Sequence, residues 1–271
     1  MTEVVQTAPA TKTLVPPRSL KRRAIDLAIV AGVVAILGYA WHDTGASINE
    51  LISGFHNTIA LMKRAVPPDW SVLRDSIHAS ILTFNTALLG TAGAFLISIL
   101  LTPLAARNIT PHRVVYELAR LVIGVTRAIP DFVFALIFLV AVGLGPYSIV
   151  LAIAAHTIGV LGKLFAEAVE DMDMGPVDAL RAAGAGRTQV FVHGVMPGIA
   201  ATLTGLSLYR LDTNLRSALY LGALGGGGLG FILYNSLQLF QYKQATTELL
   251  VLLVMLLLVE RVSLLLRQRL L

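Results

Sequence analysis

Charged side chains interrupt two of the long apolar runs of this sequence, Arg127 in one run and Arg210, Asp212 and Arg216 in another. Charges inside a membrane are costly and usually mark either a ligand path or a buried partner. Guanidinium groups along a dry path would lower the barrier for a small anion. A second interpretation stays open, in which Arg210 and Arg216 pair with Asp212 near the outer end of a membrane helix and Arg127 anchors its helix at the interface.

No group of residues points to catalysis or to metal binding. The six histidines have no ligand spacing, and no His, Asp and Ser arrangement resembles a triad. The absence of cysteine excludes a disulfide framework, a thiolate metal site and a cysteine nucleophile. The glycine-rich stretch 225–230 lacks the Lys-Ser/Thr pair of a phosphate-binding loop. We therefore expect no catalytic residue, no metal and no cofactor bound by this chain.

The composition is that of an integral membrane protein. The chain has 271 residues, of which 56% are hydrophobic and 14% are charged, and its mean hydropathy is +0.75. Soluble domains are usually about 45–50% apolar and about 25% charged. The net charge of +5 comes from basic residues that flank apolar runs, as expected for membrane topology rather than for nucleic-acid binding. We expect an all-α membrane protein.

The apolar runs predict about six transmembrane helices, because each is near the roughly 20 residues that a bilayer requires. The third run contains Pro130, where we expect one kinked span. Basic residues near both ends of the chain predict that both termini are cytoplasmic. The expected spans are 24–41, 77–104, 114–144, 147–165, 194–221 and one centred on 249–259.

Three regions differ in character. Residues 1–17 are polar and without periodicity, which predicts a disordered cytoplasmic tail. Residues 18–75 contain the first span and then apolar residues at helical spacing, which predict an amphipathic helix at the outer interface. Residues 76–271 form the predicted core domain, with a cytoplasmic loop at 167–193 and a short helix at 231–240.

The cytoplasmic loop predicts a short helix between two membrane helices. Pro176 suits its first residue. Asp178 in the first turn and Arg181 near the end would each interact favourably with the helix dipole. Gly184 can take the left-handed conformation that ends a helix. Pro197 then opens the next span.

This loop resembles the signature of importer-type ABC permeases, which reads Glu-Ala-Ala, three residues, Gly, nine residues, Ile-x-Leu-Pro. Asp178, Ala179 and Leu180 align with Glu-Ala-Ala, and Gly184 and Pro197 stand at the required positions. In that family the short helix docks in a groove of a cytoplasmic ATPase. The residues that the resemblance implies for this coupling helix are Gly175, Pro176, Asp178, Ala179, Leu180, Arg181, Gly184 and Pro197. Asp178, Leu180, Gly194 and Met196 depart from the consensus.

Four further segments, 126–131, 212–218, 221–231 and 235–242, are similar to the permease of the phosphonate uptake system. The resemblance implies a second permease copy, identical or paralogous, and two ATPase subunits that bind ATP and Mg. It also implies a periplasmic or lipid-anchored binding protein that delivers phosphonate, phosphite or phosphate, and a place in the bacterial inner membrane.

Two sets of site residues are expected. The charges within the apolar runs predict a substrate path that contains Arg127, Arg210, Asp212, Asn214 and Arg216. The implied outer gate, where backbones would pack closely, contains Gly225, Gly226, Gly227, Gly228 and Gly230.

Three alternatives differ in cargo or in class. A permease of the same fold could carry methionine or an organic cation, which a competition assay separates. A secondary transporter would need no ATPase, and the loop signature argues against it. A membrane-embedded enzyme would need convergent His, Glu or Asp residues in the spans, and the sequence lacks them.

Overall fold

A computed structural model of the chain describes residues 20–45 and 47–270, and the elements in this part of the chain are helical. The predicted tail 1–17 lies outside the described residues. The chain divides into two compact units, the first ending at Ala60 and the second beginning at Leu61. The α-helices are α1 (Leu20–Asp43), α2 (Ile48–Ala65), α3 (Leu73–Ala105), α4 (Arg113–Ala128), α5 (Asp131–Val142), α6 (Pro146–Glu170), α7 (Gly175–Ala182), α8 (Arg187–Val190), α9 (Met196–Leu221), α10 (Gly228–Gln238) and α11 (Tyr242–Leu270).

Within the described residues, five helices are long and apolar enough to cross a membrane, and a bent pair supplies a sixth crossing if it counts as one span. The bent pair is α4 and α5, whose axes differ by 89°. The span that was expected to be kinked at Pro130 is therefore two short helices. Ile129 is extended, as a residue before proline prefers, and Pro130 is also extended, so the helical hydrogen bonds stop there.

The first unit contains α1 and most of α2. Beyond the charged residues of its first turns, helix α1 is apolar on all sides, and its described side chains are exposed within this unit. Helix α2 has an apolar stripe opposite a polar face. It ends shortly before Pro67 and Pro68, which cannot continue a helix.

The core of the second unit is built on α3 and α6, which pack along most of their length. Small residues let the two backbones approach, as is common in membranes. A Cβ at Gly90 would lie 2.7 Å from Ile153, so this contact requires glycine. Nearer the other end, the rings of Phe95 and Phe165 meet edge to face with centroids 5.8 Å apart.

A glycine turn joins α9 to α10 and reverses the chain. Gly225 and Gly227 have φ of 110° and 79°, values that favour glycine. A Cβ at Gly230 would lie 1.8 Å from the carbonyl oxygen of Leu219. Of the predicted gate glycines, Gly230 packs closely on another backbone, and Gly228 and Gly230 belong to α10 rather than to the turn.

The start of α3 is joined to the start of α11. The Thr247 hydroxyl donates to the backbone oxygen of Asp69 over 2.8 Å, and the Asp69 N–H donates to the Lys243 carbonyl over 3.1 Å. Hydrogen bonds from the Ser71 hydroxyl and N–H lower the pKa of Asp69. This end of the bundle is therefore fixed by polar contacts.

Candidate functional site

The loop helix is α7, and its end has the geometry of a Schellman cap. Gly184 has φ of 81°. Its N–H donates to the Arg181 carbonyl over 3.0 Å, and the Ala185 N–H donates to the Leu180 carbonyl over 3.0 Å. The predicted left-handed glycine is confirmed. The helix begins at Gly175, one residue before Pro176, which occupies the second helical position.

One side of α7 packs onto the segment that leads into α9. Val177 is fully buried. A Cβ at Gly194 would lie 3.0 Å from Leu180 and 3.4 Å from Val177, so a glycine at this position allows α7 to sit close. Asp178 and Arg181 are exposed and form an ion pair of 3.2 Å. Helix α7 therefore packs its apolar side against the segment before α9 and exposes its polar side.

The segment Phe191–Val195 is a single π-helical turn that precedes Pro197. A proline ring clashes with the carbonyl four residues earlier in a regular α-helix. A wider turn relieves that clash, and such turns are frequent at functional sites. Pro197 thus marks the junction between the loop and α9, as the sequence predicts.

A carboxylate clamp joins the ends of α3 and α6 to the middle of α4. Glu170 Oε1, at the end of α6, accepts from Arg120 Nη2 over 2.7 Å and from the Arg107 N–H over 2.9 Å. Arg120 Nε also donates to the carbonyl of Ala105 over 2.7 Å. The clamp therefore joins α3, α4 and α6.

Asn108 connects this clamp region to the loop helix. Its side-chain amide donates to the Val169 carbonyl over 2.7 Å, and its backbone carbonyl accepts from Arg181 Nη2 over 3.3 Å. Helix α7 is therefore linked through Asn108 to the end of α6.

Inside the bundle, Arg210 and Asn214 form a polar network with two threonines. Arg210 is 9% exposed, and its Nη2 donates to Asn214 Oδ1 over 3.1 Å and to Thr157 Oγ1 over 3.3 Å. The Asn214 amide donates to Thr91 Oγ1 over 2.8 Å. Arg210 Nε has no hydrogen-bond partner among the described residues. The network ties α9 to α3 and α6.

The other two charged residues of α9 point elsewhere. Arg216 is exposed and pairs with Asp212 over 3.3 Å. The interpretation in which Arg210 also pairs with Asp212 is wrong, because residues two apart on a helix point about 200° apart. Arg210 bonds to Asn214, four residues on, and Asp212 bonds to Arg216, also four residues on.

Helix α9 therefore carries a polar stripe on the side that the rest of the described chain leaves partly uncovered. The stripe is defined here as Tyr209, Asp212, Thr213, Arg216 and Tyr220, which recur at helical spacing and are exposed or partly exposed. Charged groups within a membrane span almost always face a protein partner or a water-filled cavity rather than lipid. This surface is the strongest candidate in the described residues for the lining of a polar path.

The break between α4 and α5 adjoins this stripe. Tyr220 OH donates to the carboxylate of Asp131, the first residue of α5. His156 Nδ1 lies 3.0 Å from the Ile129 carbonyl, and a Cβ at Gly159 would lie 2.5 Å from the backbone nitrogen of Arg127. Arg127 itself is exposed, and its side chain has no ion pair among the described residues.

The structure thus separates the predicted substrate-path residues. Asp212 and Arg216 share the exposed stripe, whereas Arg210 and Asn214 are buried behind it. Sequence reasoning missed the residues that bind them, because threonines in apolar runs give little signal. It also missed the clamp. The missed residues are Thr91, Thr157, Asp131, Tyr220, Asn108, Arg120 and Glu170.

The comparisons with known proteins agree with this geometry. Residues 95–271 match the family described as binding-protein-dependent transport system inner membrane component. The chain is 38% identical over 247 residues to the phosphite transport system permease protein PtxC of Stutzerimonas stutzeri, covering 91% of this chain and 89% of that protein. It is 42% identical over 198 residues to the phosphate-import permease protein PhnE of Mycolicibacterium smegmatis, covering 72% of this chain and 37% of that protein.

Among solved structures, a chain of the inward-facing MetNI methionine ABC transporter matches with a TM-score of 0.64 at 20% identity, covering 76% of this chain and 99% of that chain. The fold is accordingly that of ABC importer permeases. With the family match extending over α4 to α11 and the loop helix in its place, this chain belongs to the binding-protein-dependent transport system inner membrane component family.

Proposed function

We propose that this chain is the membrane-spanning permease subunit of an ATP-driven importer for phosphonate or the related oxyanions phosphite and phosphate. The observation that carries the proposal is the similarity to the phosphite permease PtxC over 91% of the chain. Similarity to the phosphate-import permease PhnE supports the same class of anion. The cationic residues of α9 are compatible with such a ligand.

The proposed path runs along the polar stripe of α9, between two permease copies. In this account Arg216, exposed and paired with Asp212 at 3.3 Å, exchanges that partner for the oxyanion. A guanidinium suits this role because its planar donors match the oxygens of a phosphate-like group. Arg210, buried behind the stripe, adds positive charge to the region and holds α9 in place through Asn214 and Thr157.

The proposed partners follow from the family. The second permease copy is an identical or paralogous chain, two cytoplasmic subunits bind ATP and Mg and perform hydrolysis, and a periplasmic or lipid-anchored protein delivers the ligand. This chain would lie in the bacterial inner membrane with both termini in the cytoplasm and would perform no catalysis of its own.

Coupling would pass through α7. The exposed side of α7, with Asp178 and Arg181, would contact the ATPase. Closure of the ATPase pair would move α7, and the packing of Val177 against Gly194 would carry that movement into α9. The glycine turn at the far end of α9 would serve as the outer gate, since Gly225 and Gly227 allow backbone conformations that other residues rarely adopt.

The test is transport in proteoliposomes that contain the chain with its cognate ATPase and binding protein. We expect ATP-dependent uptake of radiolabelled phosphate or phosphite, with competition by methylphosphonate and none by methionine. ATP-independent uptake would favour a secondary transporter. Competition by methionine instead of oxyanions would assign the chain to the alternative cargo, which the MetNI likeness does not support because it concerns the fold alone.

A further inference from the structure

A polar cavity of about 220 Å³ lies at the end of the bundle opposite α7. It is bounded by the start of α3, the end of α10 and the start of α11. Asp75 lies roughly 45 Å from the other end of α3, at about 1.5 Å per helical residue. Of the residues that line the cavity, only Val72 and Ile232 are apolar. The lining consists of Val72, Asp75, Ser76, Ile232, Asn235, Ser236, Gln241, Gln244 and Glu248.

The polar residues converge on the cavity by helical spacing. Ile232, Asn235 and Ser236 share one face of α10, and Gln244 and Glu248 are four residues apart on α11. Residues three and four apart lie on the same side of a helix. Each of the helices therefore directs oxygen-bearing side chains to this one cavity.

Glu248 is the central group of this cavity. It is 3% exposed. Its Oε1 accepts from the Ser236 hydroxyl over 2.8 Å, and its Oε2 has no hydrogen-bond partner among the described residues. An isolated buried carboxylate is strongly unfavourable unless a cation or proton neutralises it.

No lysine, arginine or histidine of the described residues lines the cavity, so no basic side chain there neutralises Glu248. Asp75 adds a second carboxylate at the same cavity, and the amide and hydroxyl groups add neutral oxygens. Donors that are all oxygen, with two negative charges, suit a hard divalent cation. The volume, against about 30 Å³ for a water molecule, leaves room for an ion that keeps several waters.

We propose that this cavity binds a divalent cation of the Ca²⁺ type, with Glu248 and Asp75 as its anionic ligands. The ion would join α3, α10 and α11, and it would fix α10, which follows directly from the glycine turn. The inference is independent of the cargo, because it rests on residues outside the stripe of α9.

The experiment uses the purified full-length chain in detergent after treatment with a chelator. Binding of ⁴⁵Ca²⁺ is measured by equilibrium dialysis, with Mg²⁺ and Na⁺ as competitors, and the Tm is followed as Ca²⁺ is added. We expect saturable binding and a rise in Tm for the wild type, and loss of both in Glu248→Gln. Glu260→Gln, which removes an exposed carboxylate from the same helix, should behave as the wild type.

Competition by Mg²⁺ at similar concentrations would leave the divalent assignment in place and identify Mg²⁺ as a second occupant. The proposal would be overturned if the wild type did not bind Ca²⁺. It would also be overturned if Na⁺ displaced the bound Ca²⁺ and Mg²⁺ did not. A Tm that depends on pH but not on Ca²⁺ would overturn it too, because a proton would then neutralise Glu248. If Glu248→Gln does not fold, Ca²⁺ binding is measured on Asp75→Asn instead. Asp75 is exposed, so this substitution should leave the fold intact. Weaker Ca²⁺ binding supports the site and unchanged binding refutes it.

Discussion

Asn214 on α9 donates a hydrogen bond of 2.8 Å to the hydroxyl oxygen of Thr91 on α3. The carbonyl oxygen of the same side chain accepts from Arg210 over 3.1 Å and from Thr157 on α6 over 3.2 Å. One amide group therefore satisfies polar partners on three helices at once. Because buried polar groups are costly when unpaired, this amide is important to the packing of the bundle.

Replacing Asn214 with leucine should destabilise the protein. The substitution leaves the buried Arg210 guanidinium and two threonine hydroxyls with fewer partners, and we expect a loss of about 1–3 kcal/mol. Thr213→Val is the matched control, because among the described residues its hydroxyl bonds only to the Tyr209 carbonyl of its own helix. The measurement is the Tm in detergent, and equal Tm values for the two variants would contradict the role of the network.

The two arginines of α9 should respond differently to loss of charge. Arg216→Gln removes an exposed group, so we expect a Tm close to that of the wild type and oxyanion uptake lower by roughly 10–100-fold, the equivalent of about 1.5–3 kcal/mol for a charged hydrogen bond. Arg210→Gln should lower the Tm, because Arg210 is buried in the network.

Uptake in proteoliposomes and Tm are measured on the same preparations. Normal uptake by Arg216→Gln would exclude Arg216 from the path. A normal Tm for Arg210→Gln would show that its hydrogen bonds contribute little.

Gly230 should not tolerate even alanine. The added Cβ would lie 1.8 Å from the backbone oxygen of Leu219, and a backbone atom cannot move aside as a side chain can. We expect Gly230→Ala to abolish or severely reduce the yield of folded protein. Gly205→Ala on α9 has open space around the Cβ, so it should be neutral or stabilising by up to about 1 kcal/mol. The two variants are compared by size-exclusion chromatography and by Tm. Similar profiles and Tm values would refute the tight contact at Gly230.

The clamp at Glu170 should contribute more than an ion pair at the surface. A double-mutant cycle on Arg120 and Glu170, which are 2.7 Å apart and mostly buried, should give a coupling energy of about 1–3 kcal/mol. The same cycle on Arg113 and Glu117, an exposed pair at 3.9 Å, should give below about 0.5 kcal/mol. Chemical denaturation measures both coupling energies. Equal values would show that the Arg120–Glu170 pair contributes no more than a surface ion pair.

The loop helix could be predicted because its signals are local. Gly184 ends α7 within three residues of Arg181, and the left-handed conformation needs no distant contact to be recognised. The sequence interpretation paired Asp212 with both arginines. The pair with Arg216, four residues away, is present, whereas Arg210 bonds to Asn214 instead.

The long-range partners could not be predicted in this way. Arg120 and Glu170 are separated by 50 residues, and Thr91 and Asn214 by 123. Which of many hydroxyl groups in the apolar runs meets a buried amide depends on helix packing, which single-residue patterns do not specify. The 89° break at Pro130 was also underestimated, because a proline alone is compatible with a mild kink or with two separate helices.

The central claim is that α7 couples this chain to a cytoplasmic ATPase, and co-purification of the two proteins tests it most directly. The wild type is compared with the double variant Asp178→Arg and Gly184→Pro. The first change reverses an exposed charge, and the second is incompatible with φ of 81° because proline requires about −65°. Glu50→Arg, an equal charge change at an exposed position on α2, is the control.

We expect the ATPase to co-purify with the wild type and with Glu50→Arg, and to be lost from the double variant while the membrane protein itself remains monodisperse. Failure of any ATPase to co-purify with the wild type, or equal retention by the double variant, would contradict the account.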